Sequence, residues 1–280
     1  MATVMGGRAR HTRTVSTALT LAEALEPLRA DPARAGILLD VDGTLAPIVR
    51  HADDAHVPEP TRVLLIQVAR RYGLIGCISG RQATTARRIV SIGSIAYIGN
   101  HGAELLRPGG TEVELDPEFE KGAAKVRAFA DGQDSTRLRR LRVRGEDKGG
   151  IQAFHWRGAP DETRAEEAVR EIAAAAEREG LIPHWGRKVL EIRPPVELDK
   201  GGGVRRLLEE ADVGTALYVG DDTTDLDAFR GLRSLVEDGR LTYALCLGVR
   251  SDETPPALEQ EADLLLDGPV GVRQLLEALL

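Results

Sequence analysis

What most constrains this chain is an apolar triplet that runs straight into acid and glycine: Ile37-Leu38-Leu39 continues as Asp40-Val41-Asp42-Gly43-Thr44. An unbroken apolar run followed by turn residues fits a strand buried on both faces of a parallel sheet, and ligands of such sheets collect beyond the carboxyl ends of the strands. Asp40 and Asp42 then stand at that mouth, where the two-residue period of extended backbone lets both side chains reach one region. Gly43 permits a turn that brings backbone N–H groups towards a ligand, and Thr44 adds a hydroxyl. A carboxylate can attack phosphorus while a second one protonates the leaving oxygen and later deprotonates water, so the segment reads as a phosphoryl-transfer site.

Two carboxylates facing a phosphate repel it unless a cation joins them, and Mg²⁺ favours carboxylate, water and phosphate oxygens. Leu217-Tyr218-Val219 supplies a second strand of this kind, ending in Gly220-Asp221-Asp222-Thr223-Thr224-Asp225. Asp221 is the direct metal ligand expected from it. A third strand-like run, Leu74 to Ile78, ends in Ser79-Gly80-Arg81, where a hydroxyl and small-residue amides at a helix start suit a phosphate oxygen. Lys200 precedes Gly201-Gly202-Gly203 and an amphipathic stretch, so a cation lies where the helix macrodipole opposes it, which points to an anion nearby. The bland alternatives are an Asx-capped loop for either acidic segment, an N-cap for Ser79 and a surface lysine for Lys200.

Between the motifs the pattern alternates strand and helix. A helix opens at Pro58-Glu59-Pro60 and runs to about Tyr72, another spans about Thr84 to Ser91, and strands are expected over 74–78 and 95–98, the rhythm of a doubly wound parallel sheet. The rhythm changes after Glu104. Leu141 and Val143 alternating with arginines predict a half-buried strand over 138–144, whose arginine run offers either an anion-binding or a solvated face. Strands follow at 151–156 and 189–192, flanking a helix from Asp161 to Gly180. The sheet then resumes with helices at 202–210 and 224–232, strands at 217–219 and 243–247, and a last helix from Val270. The division expected is a disordered leader over 1–17, a Rossmann-like α/β core over 18–105 and 197–280, and an inserted smaller α/β cap over 106–196. Leu19, Leu21, Leu25 and Leu28 suggest a short amphipathic helix ahead of the core, facing the core or a partner.

Taken in order, Asp40/Asp42, Ser79, Lys200 and Asp221 resemble the four motifs of the haloacid dehalogenase-like phosphatase superfamily. Gly99-Asn100-His101-Gly102-Ala103-Glu104, Glu146-Asp147-Lys148, His155-Trp156-Arg157 and Glu191-Ile192-Arg193-Pro194 narrow the resemblance to the trehalose-6-phosphate phosphatases, from about Gly36 to the C-terminus. The resemblance implies that Asp40 is the nucleophile and Asp42 the general acid/base, with Lys200 a third catalytic group. It implies Mg²⁺ on Asp40, Asp42 (through its backbone carbonyl), Asp221 and Asp225, and phosphate held by Thr44, Ser79, Gly80 and Lys200. Glu146, Lys148 and Glu191 resemble the cap residues that bind sugar, and His101 and Gly102 the contacts from the core. His155 and Arg157 read as supports of the cap sheet. Gly145 and Gly149-Gly150 depart from the family pattern, and both departures fall in the cap.

The formal net charge of −7 and the 4% aromatic content of this 280-residue chain argue against a nucleic-acid or anionic-membrane binder. Cys77 and Cys246 lie in apolar runs and suggest core thiols in a reducing cytoplasm. No transmembrane run or secretory signal is visible, and a monomer acting on a small sugar phosphate is expected. Three rivals stay open. One is a phosphatase of the same core acting on sucrose phosphate or a mannosyl-glycerate phosphate. A hydrolytic dehalogenase would need neither Asp42 nor a metal. A signalling receiver domain also gathers aspartates, a hydroxyl and a lysine, but is shorter and has no cap.

Overall fold

The computed structural model describes residues 20–49, 54–196, 198–252 and 254–280; the leader expected over 1–17 lies outside them. In chain order the elements are α1 Leu21–Ala30, β1 Ala35–Leu39, α2 Glu59–Arg71, β2 Leu74–Ile78, α3 Ala83–Val90, β3 Ala96–Gly99, β4 Glu104–Leu106, β5 Val113–Leu115, α4 Pro117–Asp131, α5 Ser135–Arg140, β6 Arg144–Asp147, β7 Gln152–His155, α6 Glu162–Arg178, β8 Ile182–Gly186, β9 Val189–Arg193, α7 Lys200–Glu209, β10 Thr215–Gly220, α8 Asp225–Glu237, β11 Tyr243–Arg250, α9 Pro256–Glu261, β12 Leu264–Asp267 and α10 Gly268–Leu279.

The larger sheet has the order β12-β11-β10-β1-β2-β3-β4-β5. From β12 to β3 every pairing is parallel. Every residue of β1 is buried, as an apolar run between two helical layers requires. Ile37 and Leu39 point into one layer, with α1, α2, α3 and α10; Leu38 points into the other, with α7, α8 and α9. The amphipathic leucines of α1 therefore serve the core, and Thr20 and Glu23 close a capping box at its start. The fold is the expected doubly wound α/β sheet. No helix among the described residues is long and apolar enough to cross a membrane.

Two expectations change. Val113–Leu115, inside the stretch assigned to the cap, pairs antiparallel with β4 at the edge of the larger sheet. The strand expected over 138–144 is instead the end of a helix. Asp134 accepts hydrogen bonds from the amides of Thr136 and Arg137 and starts α5, Leu138 and Leu141 pack inward at helical spacing, and the chain turns through Arg142 at φ 58° before β6 begins at Arg144. N-cap chemistry at Asp134 decides what a four-residue alternation leaves ambiguous.

The smaller sheet, β6-β7-β9-β8, is antiparallel throughout. Phe154 and Leu190 face α4 and α6, where they meet Val126, Phe129, Val169 and Ile172. The register puts Glu146, Ala153, Glu191 and His184 in one row on the opposite face.

Candidate active site

The first aspartate is fixed by the sheet. Asp40 donates its amide to Val219 O across the mouth of β1 and β10 (2.8 Å), and it is 4% exposed. Lys200, the first residue of α7, is 3% exposed and places its ammonium 2.6 Å from Asp40 Oδ1 and 2.6 Å from Asp225 Oδ1. It is a buried ion pair, not a surface lysine. Asp225 is held as tightly on its other sides: the Tyr218 hydroxyl donates to Oδ1 at 2.6 Å, and the amides of Asp221 and Asp222 donate to Oδ2 at 2.9 Å. Asp225 thus fixes both the lysine and the acidic turn. Thr44 donates to Asp221 Oδ1 at 3.3 Å.

The electrostatics of this cluster ask for a second cation. Burial pushes the Asp40 carboxyl well above the usual range, the Lys200 ammonium opposes that shift, and Asp225 adds to it. Asp221 is pushed up to about 6, first by burial and then by Asp225. Asp40, Asp221 and Asp225 each offer an oxygen within 4.8 Å of the others, a hard-oxygen set of the kind a divalent ion takes. Gly43, at φ +86°, is obligatory beside it, because a Cβ there would lie 1.9 Å from Asp221 Oδ2.

Asp42 stands outside the acidic cluster and is gripped by the Arg81 fork, Nε to Oδ2 at 2.7 Å and Nη2 to Oδ1 at 2.8 Å. Ser79 is 1% exposed and accepts from the Arg81 amide at 3.1 Å, so its hydroxyl also caps the turn that carries Arg81. Gly80 lets that turn pass under the His101 ring, which a Cβ would meet at 2.7 Å. His101 adopts φ 55°, and position 102, at φ +117°, takes glycine because a Cβ there would lie 2.6 Å from the Asp199 carbonyl oxygen. Burial first, then the Lys200 charge, lower His101 to about 4, so the ring is neutral at working pH.

From the smaller sheet, Glu191 accepts from Lys148 Nζ at 2.9 Å and from the Arg193 fork at 2.6 and 3.0 Å. Burial alone would raise its carboxyl; these hydrogen bonds reverse the shift and hold it at about 2. Glu146 accepts from His155 Nε2 at 2.8 Å, which makes His155 a partner of the expected sugar ligand rather than a support of the sheet alone. The tip of the β6–β7 hairpin meets the larger sheet where Asn100 Nδ2 donates to Lys148 O (3.1 Å) and to Glu104 Oε1 (2.7 Å). Gly80, Arg81, Glu146 and Lys148 line one cleft of about 420 Å³. His101 and Gly102 border a separate cavity of about 190 Å³.

Sequence reasoning passed over Tyr218, Arg81, Glu104 and Arg193. Each acts by holding another residue of the site. Arg81 stood next to a phosphate-type Ser-Gly turn, and Glu104 and Arg193 lay inside the motifs that carry the resemblance without a role of their own; Tyr218 carried no local signal.

The sequence profile of the trehalose-phosphatase family matches residues 38–248. The trehalose-phosphate phosphatase of Mycobacterium marinum is 32% identical over 232 residues, 76% of this chain and 57% of that protein. Probable trehalose-phosphate phosphatase 4 of Oryza sativa subsp. japonica is 32% identical over 209 residues, 70% of this chain and 55% of that protein. The chain thus spans about half the length of the curated relatives it matches. Among solved structures, the fold is similar to Aspergillus fumigatus trehalose-6-phosphate phosphatase (TM-score 0.60, 23% identity, 94% of this chain and 97% of that one). It is also similar to the C-terminal domain of C. albicans trehalose-6-phosphate phosphatase (TM-score 0.64, 21% identity, 94% and 97%). With that profile running from β1 into β11, across the acidic cluster and both sheets, the chain belongs to the trehalose-phosphatase family.

Proposed function

We propose that this chain hydrolyses trehalose 6-phosphate to trehalose and phosphate. The observation that carries the reading is the buried Asp40–Lys200–Asp225 contact at the mouth of β1, with Asp221 beside it and a polar face of the smaller sheet opposite. An Asp40 oxygen attacks phosphorus, and the bond from phosphorus to the sugar oxygen breaks. Asp42, oriented by Arg81, protonates that oxygen. The aspartyl-phosphate is then opened by a water whose proton returns to Asp42. Lys200, Thr44 and Ser79 neutralise or donate to the phosphate oxygens, with the amides of the Gly80 turn. We assign Mg²⁺ to Asp40, Asp221 and the Asp42 carbonyl, where it supplies positive charge against the phosphate oxygens. Asp225, whose oxygens already accept four hydrogen bonds, positions Lys200 instead.

Residues from about 117 to 196 act as a cap in this reading, with Glu146, Lys148 and Glu191 meeting the sugar hydroxyls and His101 and Gly102 closing the core side. The two buried free thiols Cys77 and Cys246 suit a reducing compartment such as the cytoplasm. The test is phosphate release from trehalose 6-phosphate, glucose 6-phosphate and sucrose phosphate, with Mg²⁺ and with EDTA. Trehalose 6-phosphate should be preferred and EDTA should abolish turnover. Equal rates on all three would remove the substrate assignment, and EDTA-resistant hydrolysis would remove the metal.

A further inference from the structure

The cleft of about 420 Å³ is larger than a phosphate and its immediate surroundings require, and one stretch of its lining is not accounted for by the residues invoked above. Its inner end is Gly80 and Arg81. From there it follows α3, whose Gln82, Thr85 and Arg88 line the wall opposite Glu146 and His155. The other face of α3, with Ala83, Ala86, Ile89 and Val90, is buried in the core and anchors the helix, while Arg88 on the polar face already has a partner of its own. Gln82 and Thr85 are half-buried, yet among the described residues their side chains make no hydrogen bond. Half-buried polar groups left unspent inside a cleft are more readily explained by a ligand than by folding.

We propose that the polar face of α3, Gln82, Thr85 and Arg88, is the core-side wall of the site for the second hexose ring, the one that carries no phosphate. The inference rests on the phosphatase reading above and extends it. The phosphate end is fixed at the Gly80–Arg81 turn, and α3 leads away from it at about 1.5 Å per residue, so its first two turns lie where a second ring must extend. The chemistry suits a neutral, hydroxyl-rich ligand. The Thr85 hydroxyl and the Gln82 amide both donate and accept, Arg88 donates, and the facing Glu146–His155 pair offers acceptor and donor together. Among the described residues no Phe, Tyr or Trp lines this cleft, so hydrogen bonds, not stacking, would set the fit.

The experiment compares wild type with Thr85→Val, which keeps the shape and removes the hydroxyl, and with Arg88→Met. Substrates are trehalose 6-phosphate and two phosphates that lack the second ring, glucose 6-phosphate and p-nitrophenyl phosphate. Each variant should lose about tenfold in kcat/KM on trehalose 6-phosphate, since a site built to bond a hydroxyl loses discrimination when the partner is removed. On the two shorter phosphates each should stay within about threefold of wild type. Parallel losses on all three substrates would mean general damage and overturn the proposal, as would unchanged activity on all three. A wild type that does not prefer trehalose 6-phosphate would instead bring down the parent reading, and this one with it.

Discussion

Lys200 carries more of this site than its exposed-looking sequence context announces. Its ammonium is shared between two buried carboxylates, and removing it strands both charges. Lys200→Met should therefore cost on the order of 3–5 kcal/mol of unfolding free energy as well as turnover, whereas Asp40→Asn keeps the Lys200–Asp225 half and should lose turnover with a near-native urea midpoint. Urea unfolding beside phosphate release separates the two; appreciable turnover by Asp40→Asn would remove it from the nucleophile's role. His101 makes a prediction of a different kind. In the folded chain the ring takes its proton only near pH 4, against an ordinary value of 6.5, because it is buried and lies near Lys200. The unfolded chain therefore binds that proton first, so the stability it contributes is whole above about pH 6.5 and drains away as pH falls to 4. The amount is up to about 3 kcal/mol before solvent screening. Asp221, raised to about 6, works in the opposite direction over the overlapping range, so the total curve is a poor witness. The difference between wild type and His101→Asn, a residue that tolerates the left-handed backbone here, isolates the ring. Wild type should lose more stability than the variant between pH 6.5 and 4, and equal slopes would refute the argument.

What holds Lys200 in place belongs to the scale of elements. Helices α7 and α8 cross so closely that a Cβ on Gly231 would meet Gly201 Cα at 2.7 Å, and one on Gly201 would meet the Asp227 carbonyl at 2.4 Å. These obstacles are backbone and cannot rotate away. An exposed helical glycine changed to alanine gains up to about 1 kcal/mol in propensity, but Gly231→Ala should instead lose about 1–3 kcal/mol and lower kcat, because pushing α7 outward carries Lys200 with it. A higher urea midpoint for Gly231→Ala would contradict this crossing. The same scale explains how much the sequence disclosed. β1, β2, β10 and β11 were legible because a strand buried on both faces must be apolar throughout, and the Asp40, Ser79 and Asp221 motifs follow directly from three of them. β8 escaped notice because Ile182, His184 and Trp185 are exposed on an edge strand, so no alternation survives. α4 hid behind Pro117 and a composition of glutamate, lysine and alanine, although Asp116 caps it through the amides of Glu118 and Phe119. The residues proposed to attack or hold phosphate announced themselves by type and spacing, whereas Tyr218 and Glu104 did not, because each matters only for what the fold brings against it.

At the scale of the molecule, the question is how the smaller sheet is tied to the larger one over the site. The β6–β7 hairpin tip is held from two sides. Asn100 donates to its Lys148 carbonyl, and Gly150, at φ +121°, lies where a Cβ would press on Ala123 at 2.6 Å. Lys148 continues to Glu191, so one hairpin joins the core turn that follows β3 to the polar row of the smaller sheet. Asn100 itself adopts φ 46°, which asparagine and aspartate tolerate better than most residues. Asn100→Asp therefore changes little in shape while replacing a double donor with a carboxylate that faces the Glu104 carboxyl and the Lys148 carbonyl. Both contacts turn from attraction to repulsion. The expected outcome is a local release: amides over 144–155 should exchange with solvent faster, those of β1 and β10 should keep their protection, and hydrolysis of the sugar phosphate should fall by roughly ten- to a hundredfold. The coupling between hairpin and chemistry is what hydrogen exchange and turnover, measured on the same variant, put at risk. Full activity with a freely exchanging hairpin would show that the Asn100 tie does not set the position of Lys148 and Glu191 during the reaction, and a protected hairpin would show that the tie is dispensable for the fold.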